Sequence, residues 1–262
     1  MKKNFTGKII SKTLPPIIAV TALLLVWHFL SASKVMPSYM MPSPAKVWHA
    51  LTEDFSVLCY HSITTIYEAL AGLLIGIAVS FVIAVIMDAC APIRNGLYPL
   101  LVVSQTIPSV AIAPLLLLWF GYGVLPKIVL IVVTVFFPIT VSLLDGFASA
   151  DKDSLKLMKT MGANSFQQFI HIKLPGSLSH FFAGLKISVS YSVVGAVISE
   201  WLGGTRGLGV YMTRVRKSFA YDKMFAVIFF IAAVSLLLIL LVSVIKWLSM
   251  PWERNSVKNV KK

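Results

Sequence analysis

The chain alternates long apolar runs with short polar breaks. Apolar runs at about residues 14–30, 62–87, 97–120, 127–147, 181–202 and 224–248 each come near the roughly 20 apolar residues that carry an α-helix across a bilayer. They predict an all-α polytopic membrane protein with six transmembrane helices. Only helices or closed barrels satisfy every backbone N–H and C=O in lipid. The one long polar interruption, residues 150–180, has its own helical pattern: Leu155, Met158 and Met161 on one face, then Gly162, then Phe166, Phe169 and Ile170. Asn164 or Ser165 is placed to cap the second piece, and Pro175 marks its end. Two short amphipathic helices hinged at Met161-Gly162-Ala163 are expected. Such a pair either docks in the groove of a soluble partner or lies on anionic lipid through Lys152, Lys156, Lys159 and Lys173.

Individual runs carry further signals. The first begins after Lys2, Lys3, Lys8 and Lys12 and is longer than a signal-peptide core, so it reads as an uncleaved span with a cytoplasmic N-terminus. Pro42-Ser43-Pro44 starts a short surface helix with Val47, Trp48 and Leu51 on one side. Gly72, Gly76, Ser80 and Ala84 form a small-residue stripe, serving either intramolecular packing or a dimer face. Ser104, Gln105 and Pro108, with Pro114, bring polar groups and helix breaks into the third span. Irregular backbone at that depth needs protein or a water-filled cavity around it, so this span is either kinked for packing or lines a solute path. The fifth span holds Ser188, Ser192 and Ser199 and ends at Glu200 before a glycine-rich turn, residues 203–209.

Composition agrees and excludes alternatives. The 262 residues are 58% hydrophobic and 13% charged, with a mean hydropathy of +0.86. The net charge of +13 comes from lysines and arginines gathered at the chain ends and in the polar loop. That distribution is a topology signal, with no nucleic-acid role and both termini cytoplasmic. Cys59 and Cys90 fall on opposite membrane faces in this topology, so no disulfide joins them.

Chemistry of the catalytic kind is missing. There is no G-x-x-x-x-G-K-[ST] phosphate loop, and the five histidines have no metal-ligand spacing. Neither a metal, a cofactor nor a catalytic residue is expected. Glu200 is the acid singled out, because ionisable groups in membrane helices are functional candidates. It lies nearly twenty residues into its helix, about 28 Å along at 1.5 Å per residue. It is therefore either an interfacial glutamate in reach of water or an outer-gate contact.

Several of these residues carry a resemblance. Gly162, nine residues, then Ile172-Lys173-Leu174-Pro175 resembles the cytoplasmic loop signature of ABC importer permeases, with Lys156, Leu157 and Met158 where that family places E-A-A. Pro114–Gly123 is similar as well. Ser199–Met212 resembles the branch that handles nitrate, sulfonates, taurine and pyrimidine precursors of thiamine. The resemblance implies a type I importer permease: one domain over residues 1–262, with a core at about 42–251 and a coupling loop at 150–178, in the cell inner membrane. It further implies a homodimer, a separate dimeric ABC ATPase, an extracytoplasmic binding protein and surrounding lipid. ATPase coupling would fall to Met158, Met161, Gly162, Ala163, Ser165, Phe166, Phe169, Leu174 and Pro175. The translocation path would involve Ser104, Gln105, Pro108, Ser188, Ser192, Ser199 and Glu200. The alternative is an ion-gradient-driven carrier, which needs a titratable group near the midplane.

Overall fold

The computed structural model describes residues 3–33, 37 and 40–252, with side chains from residue 14 onward. The basic N-terminal side chains and the tail ending at Lys261-Lys262 lie outside the described residues. Eleven α-helices and one π-helical turn make up the regular structure described: α1 Lys3–Ala32, α2 Pro44–Glu53, α3 Phe55–Ala89, α4 Ala91–Ser104, α5 Ser109–Phe120, α6 Leu125–Ala148, α7 Lys152–Thr160, α8 Ser165–Gln168, the π turn Phe169–Lys173, α9 Leu174–Gly203, α10 Leu208–Lys217 and α11 Tyr221–Ser249. Five helices are long and apolar enough to cross a membrane, and the bent pair α4–α5 makes a sixth candidate.

The chain forms two compact units. One comprises Met1–Cys59 and Tyr211–Phe230. Ser43 caps α2 by accepting from the Lys46 N–H, with Pro44 in the first turn, where a missing N–H costs nothing. Val47 and Ala50 then bury themselves with Ala226. Trp27 stacks on Phe225 and Phe229 at 6.0 and 5.6 Å and donates to the Pro42 carbonyl at 3.1 Å. Asp54 accepts from Lys223 Nζ at 3.0 Å and from the Tyr211 hydroxyl.

The other unit, Tyr60–Val210 and Ile231–Lys262, is organised on α6 and α9. Every fourth residue of α6, Ile131, Val135, Ile139, Leu143 and Phe147, faces Leu185, Val189 and Val193 on α9, and none is more than 7% exposed. Within lipid this packing gains van der Waals contact rather than escape from water, so close approach decides it. The stripe on α3 supplies that approach. A Cβ on Gly72 would lie 2.5 Å from Ile131 Cγ2, and one on Gly76 2.3 Å from Val135 Cγ2. Ser80 donates to the Phe136 carbonyl at 3.1 Å, and Ala84 is fully buried. In this chain the stripe is an intramolecular seam.

One sequence expectation is sharpened and two change. The third span is broken: α4 and α5 meet at 100°, because Pro108 has no N–H and disfavours helix at Ile107. At the break the Leu101 and Val103 carbonyls accept from the Ser104 and Thr106 hydroxyls, each at 2.7 Å. Pro175 does not end the second short helix. The π register lets the Leu174 N–H reach the Phe169 carbonyl, and Pro175 falls in the first turn of α9, so the chain runs helical from Ser165 to Gly203. Finally, the glycine-rich turn is short, and Gly209 already belongs to α10.

Candidate functional site

The α7–α8 hinge is built from caps. Asp151 accepts from the Asp153 and Ser154 N–H groups, which hold its carboxyl below the usual range, the Ser154 hydroxyl contributing most. Asn164 and Gln167 form a reciprocal capping box at 2.8 Å each way. Between them Gly162 takes φ +88°, a left-handed conformation that glycine enters without a Cβ penalty. Lys173 pairs with Asp88 of α3 at 2.8 Å, and Phe169 meets Phe147 at 5.2 Å. The apolar residues therefore divide. Phe169 packs onto the body, with Met158, Ala163 and Leu174 half-buried. Leu157, Met161 and Phe166 stand 62%, 78% and 69% exposed, and Ser165 and Pro175 are exposed beside them. Phe166 is exposed where Phe169 packs on Phe147.

A second feature lies at the α4–α5 break. A cavity of about 240 Å³ is lined by Ser104, Gln105, Ser109, Thr134 and Tyr191 among apolar neighbours that include Pro108. Among the described residues no charged side chain lines it. Ser188, Ser192 and Ser199 are not part of it. All three are buried, donating to the carbonyls of Val135, Val189 and Ala196. Their spacing of four and seven residues sets them on one stripe of α9, from which Ser188 reaches α6; Tyr191 and Val194 lie to one side of that stripe, towards the cavity, with Gly195 at the boundary.

The third feature corrects the sequence reading most. Glu200 does not reach water; it is 1% exposed. The turn after α9 folds back over it. Glu200 Oε2 accepts from the Gly209 N–H at 2.6 Å, and Oε1 accepts from the Thr65 hydroxyl at 2.8 Å. Thr65 Oγ1 in turn accepts from the Leu208 N–H at 2.9 Å, and His61 Nδ1 accepts from Gly207 at 3.1 Å. These acceptors satisfy the free N–H groups at the start of α10. Gly207 sits at φ +138°, and a Cβ there would lie 2.1 Å from the Glu200 carboxyl carbon, so this fold of the turn requires glycine. Arg206 closes the edge, donating to the Tyr60 carbonyl at 2.8 Å and lying 3.6 Å over its ring.

Beside Glu200 stand two charges the sequence reading passed over. Lys127 Nζ contacts Glu68 Oε1 at 2.6 Å, with side chains 7% and 1% exposed. The signal was present: an acid inside the second apolar run and a lysine opening the fourth are opposite charges placed at membrane depth. Treating Glu200 as the acid of interest hid the pair.

The chain is similar to proteins of known type. Residues 72–249 match the family described as the binding-protein-dependent transport system inner membrane component. A probable ABC transporter permease protein of Haemophilus influenzae is 36% identical over 227 residues, covering 87% of this chain and 93% of the relative. A formylaminopyrimidine transport permease protein of Halalkalibacterium halodurans is 33% identical over 244 residues, covering 93% and 97%. The fold is shared with a crystal structure of an amino acid ABC transporter, with a TM-score of 0.60 at 15% identity, covering 75% of this chain and 94% of that one. An ion-gradient-driven carrier is thereby set aside. A family match spanning most of the apolar core, on helices that cross a membrane, leaves one conclusion: the chain belongs to the binding-protein-dependent transport family and is a multi-pass inner-membrane permease subunit of an ABC importer.

Proposed function

We propose that this permease is one domain that pairs with a second copy in lipid, both termini cytoplasmic, and moves a small neutral nitrogen heterocycle delivered by an external binding protein. A separate ATPase grips the hinge around Gly162 and drives the cycle. The observation that carries this reading is the exposed Leu157–Met161–Phe166 face on an element fixed by two caps and an ion pair. A rigid apolar face of this kind fits the groove of a soluble partner, and movement of a docked helix is a recognised switching device. The solute class is supported by the formylaminopyrimidine relative and by a cavity lined with hydrogen-bonding groups and no charge. An anion such as taurine or nitrate would find no cation there.

The test is Phe166→Asp, which places a charge on the docking face without touching the packed core. It should abolish co-purification of the ATPase while the permease still inserts. Insertion is checked by labelling Thr205→Cys, and not Lys159→Cys, from outside the cell. Undiminished ATPase association by Phe166→Asp overturns the docking assignment, and the reverse labelling pattern overturns the topology.

A further inference from the structure

We propose that Ser104 and Thr134 form a hydrogen-bond-accepting edge in the cavity at the α4–α5 break, selecting heterocycles that carry an amino group. This rests on the neutral-heterocycle reading above and adds which part of the solute is recognised. Both residues line the cavity of about 240 Å³, and both hydroxyl protons are already committed. Ser104 donates to the Leu101 carbonyl at 2.7 Å, and Thr134 donates to the Ile131 carbonyl at 2.8 Å. A carbonyl oxygen carries no proton, so the direction of each bond is fixed. Each hydroxyl oxygen is left with lone pairs alone and can only accept from a solute.

Two acceptors on one small cavity suit a group that brings two protons. An exocyclic –NH2 does so, whereas a hydroxyl brings one and an ether oxygen none. An ammonium would bring protons as well. However, no acidic side chain among the described residues lines the cavity, so its charge would go unbalanced. The other polar lining groups tolerate either polarity. The Gln105 amide holds both donors and an acceptor, and the Ser109 and Tyr191 hydroxyls serve as either. The Tyr191 side chain, 47% exposed, adds an aromatic surface on which a flat ring can stack, with or without an amino group.

Affinity and selectivity therefore fall to different residues. Tyr191 holds the ring, and the two hydroxyls decide which edge of it is accepted. A ring with no donor leaves both oxygens facing lone pairs or unpartnered, which counts against it.

Saturation-transfer NMR on the full-length permease in lipid nanodiscs, with empty discs subtracted, tests this with 4-aminopyrimidine and 4-methoxypyrimidine. The two probes share a ring and differ in the donor. The wild type should favour the amino probe by roughly tenfold, the worth of one to two hydrogen bonds. Thr134→Val, which keeps the side-chain shape, should cut that preference severalfold. Ser104→Ala should do the same and serves if Thr134→Val does not accumulate. Tyr191→Leu should weaken both probes alike. Ser243→Ala removes a hydroxyl that bonds the Ile239 carbonyl of its own helix and should change nothing. Equal binding of the two probes by the wild type, or an undiminished preference in Thr134→Val and Ser104→Ala, overturns the proposal and leaves the heterocycle reading standing. Displacement of both probes by taurine, or no binding of either pyrimidine, overturns that reading and the proposal with it.

Discussion

The hinge at Gly162 gives the cleanest quantitative prediction because its two contributions separate. A Cβ built at Gly162 meets no atom within 4 Å, so bulk costs nothing inside this chain. What remains is backbone: φ is +88°, and an L-residue held left-handed pays roughly 1–2 kcal/mol. A β-branched residue is the least tolerant there, while Asn visits the region more readily. At about 1.4 kcal/mol per decade, Gly162→Val should depopulate the native hinge by roughly 5- to 30-fold. Gly162→Asn should do markedly less, with Gly162→Ala between. The assay is ATP hydrolysis stimulated by the loaded binding protein, measured in proteoliposomes with permease content matched. Activity should fall in the order Gly, Asn, Ala, Val. Wild-type activity in Gly162→Val would remove the hinge from the coupling route. Equal damage by Asn and Val would show that side-chain bulk against the ATPase, rather than backbone strain, sets the effect.

Two further outcomes follow from buried polar contacts. Lys127→Ala leaves two acids without their cation, and breaking a buried pair from one side costs roughly 3–5 kcal/mol. The thermal midpoint in detergent should drop sharply, and adding Glu68→Ala should recover part of the loss. The Tyr211 hydroxyl bonds the Asp54 carboxylate, and burial followed by that bond raises the phenol above its ordinary value of 10.0. Because the folded value is the higher one, the stabilisation is complete below pH 10 and fades only as pH climbs beyond it. Tyr211→Phe should therefore cost about 1.5–3 kcal/mol, as for hydrogen bonds to charged groups. The tyrosinate absorbance gained near pH 10 should be the same in variant and wild type, and a smaller gain in Tyr211→Phe would contradict the assignment.

Much of the architecture was legible because hydrophobic length is a local signal. The apolar runs, the cap at Asn164 and the need for glycine at Gly162 all depend on residues near in sequence. Legibility failed where distant segments decide. Pro175 reads as a helix end, yet a π turn five residues long carries the helix past it. Glu200 reads as a surface acid if distance along its helix is all one has. Its burial depends on Gly207 and Gly209 folding back and on Thr65, 135 positions away. The fifth-span serines looked like path residues by polarity alone. Their hydroxyls are occupied by helix carbonyls, and only helix phase separates them from Tyr191.

The unbroken run from Ser165 to Gly203 has a mechanical consequence. Its 39 residues make a rod roughly 58 Å long at 1.5 Å per residue. Phe166 stands near one tip and Glu200 near the other, so the two ends of this rod carry an exposed apolar side chain and a buried acid. A tilt of about 5° about either tip swings the other by about 5 Å, close to the pitch of one helical turn. The π turn is the one place along that rod where the hydrogen-bond ladder changes register. Stiffness at Phe169–Lys173 therefore sets how much of a push at Phe166 arrives as displacement at Glu200 and how much is lost as bending.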